Sequence, residues 1–145
     1  MSEYPHATAD TADLRPHLNA LLGEGVVSAV LFSTDGLALA ATDGLGRDEA
    51  ERSCAAFAGV ASLQDTFADC CRTTPDDLLM RYQIMDFTRY TVLLLAAGRN
   101  SGLGVAVEGD SISQNVQLAL SKSLKLIKAL GPFLAARDRQ APARA

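Results

Sequence analysis

The chain has 145 residues, of which 48% are hydrophobic and 21% charged, the size and composition of one compact domain whose core needs no metal or disulfide staple. That composition excludes disorder in the middle of the chain, and a formal charge of −4 argues against nucleic-acid binding, which calls for a basic excess. The charge is unevenly placed: residues 1–110 hold 16 Asp/Glu against 7 Arg, a net of −9, whereas residues 111–145 hold 6 Lys/Arg against one Asp, a net of +5.

The first 13 residues, MSEYPHATADTAD, are polar and acidic, unlike a secretory signal. Residues 1–12 and 135–145 read as flexible tails around a domain spanning 13–134. Leu14, Leu18, Leu21 and Leu22 recur at helical spacing, with Asp13 as the expected cap and Pro16 in the first turn, where its missing N–H removes no helix bond. Gly23 and Gly25 end this helix. Val26 to Ser33 is apolar at both parities and predicts a central strand. Thr34-Asp35-Gly36 predicts a hairpin turn with positive φ at both central positions, leading into a second strand over Leu37 to Thr42.

A long helix is expected from Arg47 to Cys71, with Asp48 and Glu49 at its positive end. After the Thr73 to Asp77 loop, Leu78 to Met85, Tyr90 to Ala97 and Leu103 to Val107 read as strands whose connections are too short for a parallel crossover, hence a meander. Tyr90 to Ala97 is the longest strongly apolar stretch, far below the roughly 20 residues of a membrane span. Asp110 and Ser111 are candidate caps for a last helix from Ile112 to Leu130, which Gly131-Pro132 should terminate. The order helix, two strands, helix, three strands, helix predicts an α+β sandwich on an antiparallel sheet.

On a helical wheel, residues 47–71 place an apolar arc of about 200°, where a helix lying on one sheet needs little more than about 100°. One stripe (Ala50, Cys54, Phe57, Ala61, Ala68) suits the sheet, and a second (Ala56, Val60, Leu63, Phe67, Cys70) is left for another protein or another copy. The alternative is that both stripes are covered within the monomer, for example by the first or last helix. The last helix has one ordinary apolar stripe, Ile112 among its members, and a polar side with Lys122, Lys125 and Lys128, readable as a solvated face or as a docking face for an acidic protein or anionic membrane surface.

Chemistry is hard to find. His6 and His17 are the only histidines, and neither is placed beside a nucleophile. Cys54, Cys70 and Cys71 form no metal or redox spacing and read as buried free thiols. Gly44-Leu45-Gly46 and Gly102-Leu103-Gly104 are glycine fragments without a phosphate-binding continuation, Asp76-Asp77 reads as a turn pair, and Arg99 as an exposed turn residue, although an arginine finger would also sit so. No enzyme reading survives, and no cofactor or metal is expected.

The succession VVSAVLFSTDGLALAATDGLGRDEAERSCAAFAGVASLQ, then RYTVLLLAAGRNSGLGVAV, then a helix ending LIKALGPFL, resembles the Roadblock/dynein-light-chain family over about Leu14 to Leu134. The resemblance implies a profilin-like α-β-β-α-β-β-β-α topology, a five-stranded antiparallel sheet with the second helix on one face and the first and last helices on the other. It also implies homodimers joined through second helices and through the strand from Leu78 to Met85. Such proteins are noncatalytic platforms that bind small Ras-like GTPases and modulate their nucleotide cycle, in bacteria often encoded with a sensor kinase. They are cytoplasmic and reach membranes only through partners. The expected interface residues are Ala56, Phe57, Val60, Leu63, Gln64 and Phe67 on the helix and Met80, Arg81, Tyr82, Gln83 and Ile84 on the strand, with Lys122, Lys125 and Lys128 as a secondary basic face. Rival readings are a PAS-like ligand sensor, for which Ser28, Gln83 and Thr91 would be the polar groups, and a scaffold with no GTPase partner.

Overall fold

The computed structural model describes residues 14–140; Asp13, His6 and the tail expected over residues 1–12 lie outside the described residues, as does the chain beyond 140. The elements are α1 (Leu14–Asn19), β1 (Val26–Ser33), β2 (Ala38–Ala41), α2 (Arg47–Ser62), a 3-10 turn (Leu63–Phe67), α3 (Ala68–Cys71), a second 3-10 turn (Pro75–Asp77), β3 (Tyr82–Asp86), β4 (Tyr90–Ala97), β5 (Ser101–Glu108) and α4 (Gln114–Gln140). The strands form one sheet in the order β2-β1-β5-β4-β3, every pair antiparallel. This is the predicted α+β architecture. Its interior strands are apolar on both faces because both faces are covered.

On one face α1 and α4 bury Leu14, Leu18, Val116, Ala119, Leu130 and Leu134 against Ala29, Leu31, Leu93, Leu95, Leu103, Val105 and Val107. On the other, α2 sets Ala50 and Cys54 against Val30, Phe32, Ala41 and Leu94. β5 separates the two by size. Its large residues Leu103, Val105 and Val107 meet α1 and α4, while Gly102 and Gly104 face α2. A Cβ at Gly102 would stand 2.4 Å from the Phe32 ring and one at Gly104 2.3 Å from the Phe57 ring. The glycines are thus seats for two stacked rings, whose centroids are 5.7 Å apart.

Four local expectations are corrected. The β1–β2 turn has a left-handed residue only at Gly36 (φ 89°). The Gly36 N–H donates to the Ser33 carbonyl at 2.8 Å and the Ser33 N–H to the Leu37 carbonyl at 2.9 Å, a three-residue loop ending in a glycine bulge, one residue longer than the two-residue turn. The last helix starts at Gln114, not Ile112. The Ser113 hydroxyl accepts from the Val116 N–H, because Ser111 is occupied elsewhere: its N–H and hydroxyl both donate to the Asp86 carboxylate. Ile112 is consequently 86% exposed and no part of the buried stripe.

That helix also runs through Gly131-Pro132 to Gln140, so residues 135–140 are helical where a tail was expected. Proline inside a helix costs about 3 kcal/mol. Leu134, one turn after Leu130 and equally buried, packs over Gly98, and Phe133 meets the His17 ring at a centroid distance of 6.1 Å. Fully burying Leu134 contributes about 1.5–3 kcal/mol and half-buried Phe133 adds a smaller share, which together offset the proline. Finally, β3 begins at Tyr82 and not at Leu78, because the Met80 N–H donates to Gln64 Oε1 at 3.2 Å and ties the approach to the helix layer.

Gly102→Ala should destabilise the domain by about 2–3 kcal/mol, because Phe32 is fully buried and cannot yield, and Gly104→Ala by less, because half-buried Phe57 can swing outward; urea denaturation with the m-value unchanged is the check. The hydrogen bonds from the Thr88 N–H and from Ser111 hold the Asp86 carboxyl below its ordinary value of 3.8. A depressed pKa stabilises the fold above the unfolded value and is lost as pH falls through the folded one. Asp86→Asn should therefore flatten the decline in stability below about pH 4, measured by urea midpoints against pH.

Candidate interaction surface

The helical segment after Gly46 opens with the Gly46 N–H donating to Glu49 Oε1 at 2.8 Å, half of a capping box. Its turns stay regular to Ser62 and then tighten. Ser62 and Thr66 hydroxyls donate to the Gly59 and Leu63 carbonyls, three residues back, a contact that competes with the regular helix ladder. Five residues of 3-10 geometry advance the helical phase by about 100° relative to a continuous α-helix. The segment is thus α-helical as far as Ser62 and 3-10 from Leu63 to Phe67.

The sheet-facing stripe is as expected. Ala50, Cys54 and Ala68 are buried, and Phe57 and Ala61 are half-buried against the same core. The second stripe is mostly open: Leu63 is 52% and Phe67 56% exposed and Ala56 is exposed, whereas Val60 is half-buried against the α2-side core. The alternative in which the first or last helix covers this stripe is excluded, since α1 and α4 pack on the opposite face of the sheet.

The expected interface residues divide by role. Phe57 stacks on Phe32 and closes over Gly104, so its ring serves the core. Gln64 holds the Met80 backbone, and the Gln83 side-chain amide donates to Met80 Sδ at 3.1 Å. These two amides staple the 3-10 turn to the edge strand. Ala56, Leu63, Phe67, Arg81, Tyr82 and Ile84 face solvent. β3 is an edge strand, and Leu79 beside it is 79% exposed.

The cysteines need correction. Cys54 is buried, and burial pushes its thiol up to about 11, but Cys70 and Cys71 are exposed, while Ala68 holds the inward position that the wheel gave it. Among the described residues no group of His, Cys, Asp and Glu could hold a metal ion, and no helix is long and apolar enough to cross a membrane. Two of the three candidate polar groups of a ligand cavity are engaged in structure, Thr91 Oγ1 donating to the Gly109 carbonyl at 2.8 Å and Gln83 to Met80.

The basic face is narrower than its spacing suggests. Lys122 pairs with Glu24 at 3.3 Å, leaving Lys125 and Lys128 exposed on α4. Across the molecule the exposed outer side of α2 carries Asp48, Glu49 and Glu51. Sequence reasoning overlooked Gly102 and Gly104 as ring seats, although the alternation of small and large residues in GLGVAV is the signal that finds them.

One helix over one face of a five-stranded antiparallel sheet and two helices over the other define the class: an α+β sandwich of the Roadblock/LC7 type. The chain is similar to a Roadblock/LC7 domain from Streptomyces avermitilis, with 24% identity, a TM-score of 0.71, and 85% of this chain and 98% of that one covered. It is also similar to Myxococcus xanthus MglB, with 11% identity, a TM-score of 0.72, and 90% and 93% covered. A third likeness is to an MglB with tetrameric arrangement, at 16% identity, a TM-score of 0.70, and 90% and 93% covered. No protein-family profile matches the sequence, and no curated protein does. The fold is the Roadblock/LC7 fold that the sequence resemblance implies.

In the native protein at pH 8 a thiol reagent should label Cys70 and Cys71 within minutes and Cys54 only upon unfolding, read by mass spectrometry of the labelled peptides.

Proposed function

We propose that this chain is a noncatalytic homodimeric platform that binds a small Ras-like GTPase and modulates its nucleotide cycle. The observation that carries the reading is the uncovered apolar strip of Leu63 and Phe67, continuous in sequence with the α2 face that packs on the sheet and fastened through Gln64 to the approach of edge strand β3. An apolar strip beside an open sheet edge is a combination that a second copy satisfies at once: helix packs on helix, and β3 pairs with its symmetry mate. Burying the remaining exposed half of Leu63 and of Phe67 contributes about 1 kcal/mol for each side chain. The small residues Ala55, Ala56 and Gly59 on the exposed side of α2 permit close approach of the helices.

The GTPase partner follows from the Roadblock resemblance, and the tetrameric arrangement of a similar MglB supports self-association of this fold. No catalytic constellation is needed for the role: the platform would act by contact with the GTPase and not by chemistry of its own.

Two measurements test the reading. Phe67→Asp should weaken the dimer at least 30-fold, about 2 kcal/mol, by sedimentation equilibrium; a dimer of unchanged affinity removes the strip from the interface. A small GTPase encoded beside this chain, loaded with GDP or with a GTP analogue, should bind the wild-type protein with different affinities in the two states by calorimetry. Absence of binding in both states sinks the GTPase assignment and leaves the dimer standing.

A further inference from the structure

The sheet face under α2 is roofed over only part of its length, and we propose that its open end seats Leu63 and Phe67 of a second copy of this chain, each copy inserting its pair into the other. This contact rests on the homodimer of the proposed function and adds to it a seat on the sheet itself. Phe57 closes over Gly104, and Leu94, opposite Gly104 in the β4–β5 register, is fully buried. One row farther along, Val92 stands between Ala106 and Met85, and all three are half-buried. In the next row Tyr90, opposite Glu108, is 42% exposed. Alternate residues of a strand share a face, so Tyr90 and Val92 look the same way as Leu94, toward a helix layer that stops short of them. Phe87, whose N–H donates to the Tyr90 carbonyl at 2.8 Å, is 63% exposed. Met85, Phe87, Tyr90 and Val92 thus make an apolar shelf at the end of β3.

The open edge of β3 dictates how a second copy meets that shelf. The Arg81 carbonyl accepts from the Ala96 N–H at 3.0 Å, and Phe87 bonds Tyr90, so the odd-numbered residues of β3 turn their backbone groups to β4. Those of Tyr82, Ile84 and Asp86 point out from the edge. Antiparallel pairing of two such edges uses all three residues when Ile84 meets the partner's Ile84 and Tyr82 meets the partner's Asp86. The two-fold axis of that pairing is normal to the sheet. It keeps both α2 layers on one side and lays the start of one β3 beside the end of the other.

Gln64 ties the 3-10 turn to Met80, at the approach to β3. The partner's Leu63 and Phe67 therefore arrive at the end of β3, where the shelf lies. Leu63, Phe67, Phe87 and Tyr90 are four of the exposed large apolar side chains of the molecule, and one symmetry operation covers them all, twice over. Each exposes about 100 Å², so one copy brings about 400 Å² to the contact, half of the ~800 Å² per partner in a standard interface, and pairing of the β3 edges adds to it. Met85 supplies an adaptable floor for the incoming ring.

The test uses the full chain and sedimentation equilibrium. Phe67→Glu, Phe87→Lys and Tyr90→Lys should each weaken the dimer about tenfold or more. An equimolar mixture of Phe67→Glu and Phe87→Lys chains should form a heterodimer about tenfold tighter than either homodimer, because one native contact and one charge pair then replace two broken contacts. All three positions are exposed, and circular dichroism confirms that the variants fold. Full-strength dimers of both shelf variants beside a weakened Phe67→Glu dimer overturn the seat and leave the dimer reading standing. A mixture no tighter than its components also overturns the seat, since a contact between copies is rescued in trans. Shelf variants that dimerise normally but lose a nucleotide-loaded small GTPase overturn it as well and assign the shelf to the GTPase. A wild-type chain that stays monomeric removes the dimer reading and the seat together.

Discussion

The Phe57 ring lying on the bare backbone of Gly104 and stacked on Phe32 is the contact on which the α2 layer depends. A helix rich in alanine, glycine and serine offers little side-chain volume to a sheet, and Ala50, Cys54 and Ala68 alone would make a thin core. The two rings supply the bulk, and they fit only because β5 presents no Cβ at the two positions beneath them. The opposite face has no such problem, since leucines from two helices meet leucines and valines from three strands. The sheet is thereby asymmetric: a thick, self-sufficient layer beneath it and a thinner one above.

That asymmetry decides where apolar surface is left over. Two helices cover one face of the sheet, and a single helix with its 3-10 continuation covers the other, so Leu63 and Phe67 stay about half exposed among the described residues. The edge strand repeats the situation on the other side of the sheet, where α4 stops short of Tyr82 and Ile84. Both uncovered regions adjoin β3, the strand held in place by the side-chain amides of Gln64 and Gln83.

Much of this was legible in the residues. Periods of two and of 3.6 located every strand and the major helices, and the short connections demanded an antiparallel sheet. The doubled apolar arc implied apolar surface beyond what the sheet takes up, and Leu63 and Phe67 are about half exposed. The failures share a physical cause. The Asp-Gly pair identified a hairpin but not its length, because the loop closes through backbone bonds at Ser33. Gly131-Pro132 read as a stop, yet Leu134 found a buried seat over Gly98. The cysteine pair read as buried because cysteine is among the most buried residue types, yet both thiols lie on the exposed side of the last helical turn.

The sequence by itself determined the elements, their order and the presence of excess apolar surface, because these depend on local periodicity and on short-range turn chemistry. The tertiary structure alone decided which stripe remained uncovered, where the helices end and which thiols meet water. Each of those outcomes turns on a contact between residues far apart in the chain, Met80 with Gln64, Gly98 with Leu134, Glu24 with Lys122, whose free energy no local pattern contains.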